Sequence, residues 1–92
     1  MPLIEPLYKI VELCALHGIK EAVVCPGSRS AALTLALARN AKINTRVIAD
    51  ERSAAFVALG MALQSGETVA LVCTSGSAAL NFAPAVAEAY FQ

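Results

Sequence analysis

The chain has 92 residues, no net formal charge, an apolar fraction of 58% and a charged fraction of 15%. That is more apolar and less charged than a typical soluble domain, at about 45–50% and about 25%, so it is expected to bury large areas against further sequence, a second copy, or both. The neutral balance gives no electrostatic case for nucleic acid or an anionic membrane surface. No run reaches the roughly 18 apolar residues of a membrane helix.

The start, Met1-Pro2-Leu3-Ile4-Glu5, carries no basic region and does not read as a secretory signal. Leu3, Leu7, Ile10 and Cys14 recur at helical spacing, which predicts a first helix from about Leu3 to His17, stopped by Gly18. His17 is the single histidine and reads as a solvated helix-end residue rather than a base. Ile19 to Cys25 is expected as a strand, ended by Pro26, which has no N–H to donate. Ser28 or Ser30 is expected to cap a second helix over Ala31 to about Arg39.

Asn44 to Ala49 reads as a second strand, followed by Asp50 as the cap of a third helix, roughly Glu51 to Gln64, stopped at Ser65-Gly66. Thr68 to Cys73 is a third, apolar strand. A fourth helix begins near Ser77, and Pro84 should kink it or split off its first turn. The order α-β-α-β-α-β-α with apolar strands implies an α/β fold, a parallel sheet covered by helices on both faces. Ligands of such sheets bind at the carboxyl ends of the strands. The apolar run at Ala89-Tyr90-Phe91-Gln92 carries no stop signal, which suggests a piece of a longer chain.

Cys14, Cys25 and Cys73 include no CxxC pair, so no zinc site is expected. They read as small buried residues of a reducing cytoplasm, with a redox pair between Cys25 and Cys73 as the other reading. Among the described motifs no metal ligands are assigned.

Three turns follow the three strands and, in a parallel sheet, share one rim. In Pro26-Gly27-Ser28-Arg29-Ser30, Gly27 allows close backbone approach, the serines add hydroxyls and Arg29 adds a planar cation. The turn suits a carboxylate or phosphate, or else is a capped helix start with a solvated arginine. Thr74-Ser75-Gly76-Ser77 could hold a polar ring by backbone contacts, or simply start a helix. There is no phosphate-binding P-loop and no GxGxxG. Glu51 could serve the helix dipole. Asp50 already meets that need, which leaves Glu51 free as a buried, proton-sharing carboxylate.

These segments resemble the thiamine-diphosphate-dependent enzymes. The resemblance rests on Cys25-Pro26-Gly27-Ser28-Arg29-Ser30, on Asp50-Glu51-Arg52-Ser53-Ala54-Ala55-Phe56, and on Val72 to Asn81. It covers essentially the whole chain and matches the amino-terminal, pyrimidine-binding (PYR) domain. The Pro-Gly-Ser-Arg-Ser turn is similar to that of the MenD-like subgroup of menaquinone biosynthesis. The resemblance implies that residues 1–92 are the amino-terminal part of the PYR domain, without the central and diphosphate-binding domains.

It further implies that Glu51 hydrogen-bonds N1′ of the cofactor's aminopyrimidine and favours the imino tautomer that takes the thiazolium C2 proton. Thr74, Ser75, Gly76 and Ser77 would lie against the aminopyrimidine, with Ser77 where the family favours threonine. Ser28 and Arg29 would contact the acceptor substrate. The implied cofactors are thiamine diphosphate and Mg²⁺, the metal being held by a Gly-Asp-Gly…Asn segment that these residues lack. The implied reaction decarboxylates 2-oxoglutarate and adds the resulting unit to isochorismate, in a cytoplasmic homodimer or homotetramer whose sites form between subunits. The 92 residues alone would then be inert. The alternatives are another thiamine-diphosphate enzyme of acetolactate-synthase type, against which Arg29 argues, and a non-catalytic α/β interaction module.

Overall fold

The computed structural model describes residues 5–92. Four helices, α1 (Glu5–Leu16), α2 (Ala31–Arg39), α3 (Glu51–Ser65) and α4 (Ala83–Phe91), alternate with three strands, β1 (Glu21–Val24), β2 (Asn44–Val47) and β3 (Val69–Val72). Short 3₁₀ turns at Ser28–Ser30 and Gly76–Phe82 lead into α2 and α4. The strands form one parallel sheet in the order β2-β1-β3. The predicted order and fold class hold. The strands are shorter than expected from apolar runs, because a ladder ends where its partner ends.

β1 is the centre of the molecule. Its residues alternate between faces, as a strand requires, and both faces are covered. Ala22 and Val24 pack with Val11 of α1, with Ala36 and Leu37 of α2, and with Ile43. Val23 and Cys25 pack with Ala54 and Ala58 of α3, with Phe82 alongside. The small alanines let α3 lie close to the sheet.

The start expected for α1 at Leu3 lies outside the described residues. Its inward stripe runs through Leu7, Val11, Cys14 and Ala15, whereas Ile10, expected inside, is half exposed at 51%. The end of α1 is a two-bond Schellman stop: Gly18 N–H donates to Ala15 O and Ile19 N–H to Cys14 O, each at 3.1 Å, with Gly18 at φ 91°. His17 lies just past the helix and is exposed.

Neither Ser28 nor Ser30 caps α2 through its side chain, contrary to expectation. The intervening 3₁₀ turn uses the chain differently: the Ser30 backbone N–H and hydroxyl both donate to Gly27 O, each at 3.2 Å. Pro84 falls in the first turn of α4 and so splits the fourth helical segment, as predicted. Among the described residues no helix is long and apolar enough to cross a membrane.

Asp50 caps α3, with its Oδ2 accepting from the Ser53 N–H at 2.8 Å. The backbone bond to Ser53 holds its carboxyl below the usual aspartate value of 3.8. A depressed carboxyl stabilises the fold fully above its unfolded value and loses that contribution as pH falls through the folded one. Asp50→Ala should lower the melting temperature at pH 7. Asp50→Asn keeps a capping oxygen and should soften the acid-induced fall in melting temperature that begins near pH 3.8. A wild-type melting profile for both variants would show that the cap is idle.

Candidate functional site

The register puts the ends of the three strands level. Val24 is paired with Val47 on one side and Val72 on the other. The chains leaving these positions build the rim: Cys25 to Ser30 after β1, Ile48 to Glu51 after β2, and Cys73 to Ser77 after β3. Two further bonds hold the exits together, Cys25 N–H to Val72 O at 2.8 Å and Ile48 N–H to Val24 O at 3.0 Å.

The first and third turns touch. A Cβ added to Gly27 would lie 2.5 Å from Thr74 Cβ, which a real Cβ cannot do. Gly27 is extended, at φ −172°, so it is required for space and not for torsion. Arg29 is exposed, and its Nη1 donates to Ser75 Oγ at 3.4 Å. It pairs with no acid among the described residues. Ser28 is exposed at the start of its 3₁₀ turn.

Thr74 is half-buried, while Ser75, Gly76 and Ser77 are exposed. Gly76 has φ 82°, the left-handed conformation that starts the second 3₁₀ turn and that other residues rarely adopt. Ser77 O accepts from Asn81 Nδ2 at 3.4 Å.

Glu51 is the first residue of α3. It is half-buried rather than buried as expected, because it stands at the edge of the alanine face that covers the sheet. Its carboxylate enters no hydrogen bond or ion pair among the described residues, since Asp50 takes the capping role. Its neighbour is Cys25, expected from the sequence as a small buried residue or as half of a redox pair with Cys73. Its thiol is fully buried at the end of β1 and pushed up, first by burial and then by the charge of Glu51, with Cys73 and Asp50 adding to it. Cys14, Cys25 and Cys73 are all free thiols.

The larger clefts, of about 440 Å³ and 530 Å³, lie elsewhere, between α1 and α2 and beside β2, and neither is lined by a residue of the three turns. The rim is an open surface that carries an unpaired carboxylate, a guanidinium that touches only a hydroxyl among the described side chains, and a polar turn of small residues. Such a surface can accept a hydrogen bond at Glu51, hold an anion at Arg29, and lie flat against a ring at Thr74 to Ser77.

Residues 8–92 match the family described as thiamine pyrophosphate enzyme, N-terminal TPP binding domain. The chain belongs to that family. Thiamine pyrophosphate is another name for thiamine diphosphate. Among curated relatives, the chain is similar to the 2-succinyl-5-enolpyruvyl-6-hydroxy-3-cyclohexene-1-carboxylate synthase of Cytophaga hutchinsonii, with 50% identity over 88 residues, 96% of this chain and 16% of the relative. The synthase of the same name from Porphyromonas gingivalis is 55% identical over 83 residues, 90% of this chain and 14% of the relative. That of Synechocystis is 52% identical over 89 residues, 97% and 14%. The chain thus spans about a seventh to a sixth of the length of these curated relatives.

A thiolate is the reactive form of cysteine, so a buried, raised thiol should react slowly. Treatment of the native protein with iodoacetamide at pH 8, read by peptide mass spectrometry, should alkylate Cys14 and Cys73 well ahead of Cys25. Equal rates at Cys25 and Cys73 would contradict this packing.

Proposed function

We propose that the chain is the amino-terminal part of the pyrimidine-binding domain of a 2-succinyl-5-enolpyruvyl-6-hydroxy-3-cyclohexene-1-carboxylate synthase. The whole protein would decarboxylate 2-oxoglutarate and join the remaining four-carbon unit to isochorismate, in menaquinone biosynthesis. The observation that carries this reading is Glu51: a half-buried carboxylate without a partner among the described residues, at the carboxyl rim of a parallel sheet, in a chain about half identical to synthases of that name.

The residues present fit the aminopyrimidine side of thiamine diphosphate. A carboxylate without a partner among the described residues can take a hydrogen bond from a ring N–H, and the fully buried Cys25 thiol lies near enough to feel its charge. The left-handed Gly76 lets the third turn bend away without a side chain in the path of a flat ring. When bound, the cofactor supplies the carbanion chemistry by which a 2-oxo acid loses carbon dioxide and its remainder is transferred. Within this chain, Glu51 would hydrogen-bond the ring nitrogen N1′ and share its proton. Thr74, Ser75, Gly76 and Ser77 would orient the ring. Ser28 and Arg29 hold the acceptor through its carboxylate, which a planar guanidinium recognises well.

Mg²⁺ and the 2-oxo acid would be held by groups outside these residues, in a diphosphate-binding domain of another subunit. The exposed apolar side chains Leu80 (74%), Tyr90 (82%) and Phe91 (81%) support burial against further protein, within a homodimer or homotetramer. The free thiols support a reducing, cytoplasmic setting.

In the full-length protein supplied with thiamine diphosphate, Mg²⁺, 2-oxoglutarate and isochorismate, Glu51→Gln should lower kcat by roughly 10²- to 10⁴-fold, the range of a positioned proton-transfer group. Undiminished turnover would refute the role of Glu51. Arg29→Ala should raise the KM for isochorismate by about 10- to 100-fold, the size of a charge-assisted contact. Its effect on carbon dioxide release from 2-oxoglutarate alone should be much smaller, and equal losses in both would argue against an acceptor role.

A further inference from the structure

A guanidinium on a long, exposed side chain binds a carboxylate well only if something fixes its direction. Arg29 has one side-chain partner among the described residues, Ser75 Oγ at 3.4 Å. Two residues before it, Gly27 lies so close to Thr74 that an added Cβ would meet Thr74 Cβ at 2.5 Å, Cγ2 at 2.9 Å and Oγ1 at 3.0 Å. The two turns are 46–47 residues apart in sequence, yet they meet at two successive points, Gly27 with Thr74 and Arg29 with Ser75. The bond from Cys25 N–H to Val72 O, at 2.8 Å, fixes their relative height just below.

We propose that Thr74 and Ser75 are positioning residues for Arg29. Thr74 sets how closely the β1 turn lies on the β3 turn, and Ser75 aims the guanidinium. The acceptor's anionic group is therefore read by a cation carried on one turn and directed by the other. The turn that faces the cofactor ring also sets where the acceptor's charge must lie. This rests on the reading that Arg29 holds the acceptor's carboxylate, and the test separates the two.

The measurement is isochorismate binding by calorimetry to the full-length holoenzyme without 2-oxoglutarate, so that no turnover intervenes. Arg29→Ala should weaken binding by about 10- to 100-fold. Ser75→Ala, at an exposed position, should weaken it by about 3- to 10-fold, the size of one hydrogen bond. Because Ser75 acts through Arg29, the double variant should bind no more weakly than Arg29→Ala alone. Ser75→Thr, which keeps the hydroxyl, should restore binding. Gly27→Ala should weaken binding, and adding Thr74→Gly should recover most of the loss by removing the Cβ that blocks it. If Arg29→Ala leaves binding unchanged, the underlying reading fails and this inference falls with it. If Arg29→Ala weakens binding while Ser75→Ala is silent or additive to it, Arg29 keeps its role and the inference is overturned. Failure of Thr74→Gly to rescue a folded Gly27→Ala protein overturns the steric part.

Discussion

The in-register parallel pairing of β1 with both neighbours is the constraint on which the rest depends. Val24, Val47 and Val72 stand side by side, so three segments leave the sheet at one level. The same pairing divides the core, with Ala22 and Val24 sealed by α1 and α2, and Val23 and Cys25 by α3. A slip of one residue would reverse the faces of β1 and put side chains sized for one helix layer against the other. Four residues per strand suffice because β1 is buried on both faces and hydrogen-bonded along both edges.

A level rim brings the turns together, and steric and capping choices decide which groups remain available. Contact between the first and third turns removes any side chain at position 27. Asp50 meets the orphan N–H of Ser53, so Glu51 is not needed to start α3. Arg29 and Glu51 carry opposite charges on the same rim, yet they form no ion pair with each other. Glu51 keeps its carboxylate open, and Arg29 keeps a guanidinium whose side-chain partner among the described residues is the Ser75 hydroxyl.

Local chemistry was legible in the sequence, and so was the order of the elements. Gly18, Gly66, Asp50 and Pro84 each act where their backbone preferences predict, because a cap or stop is decided within a few residues. The stripe of α1 was read through Ile10 because spacings of three and four are both helical. Only the packing of α1 on α2 selects Val11 instead. Ser28 or Ser30 is expected to cap α2, but the serine-rich run forms its own 3₁₀ turn first. Glu51 was expected buried, and the edge of the α3 alanine face decides otherwise. The meeting of Gly27 with Thr74 is set by the strand order β2-β1-β3, which no local pattern specifies. The PYR-like motifs identify the turns but carry no information on how closely they pack.

Cys25 bears on why Glu51, among several acidic and thiol groups, is the one available. A second anion under Glu51 would be opposed by burial and by the existing charge, and both effects hold the Cys25 thiol in its neutral form. The charge of Asp50, one residue away, is engaged by the Ser53 N–H and held ionised by it. The Cys25 thiol therefore stays neutral and the Asp50 cap stays anionic. Glu51, whose carboxylate enters no hydrogen bond or ion pair among the described residues, is left as the open acceptor at this part of the rim.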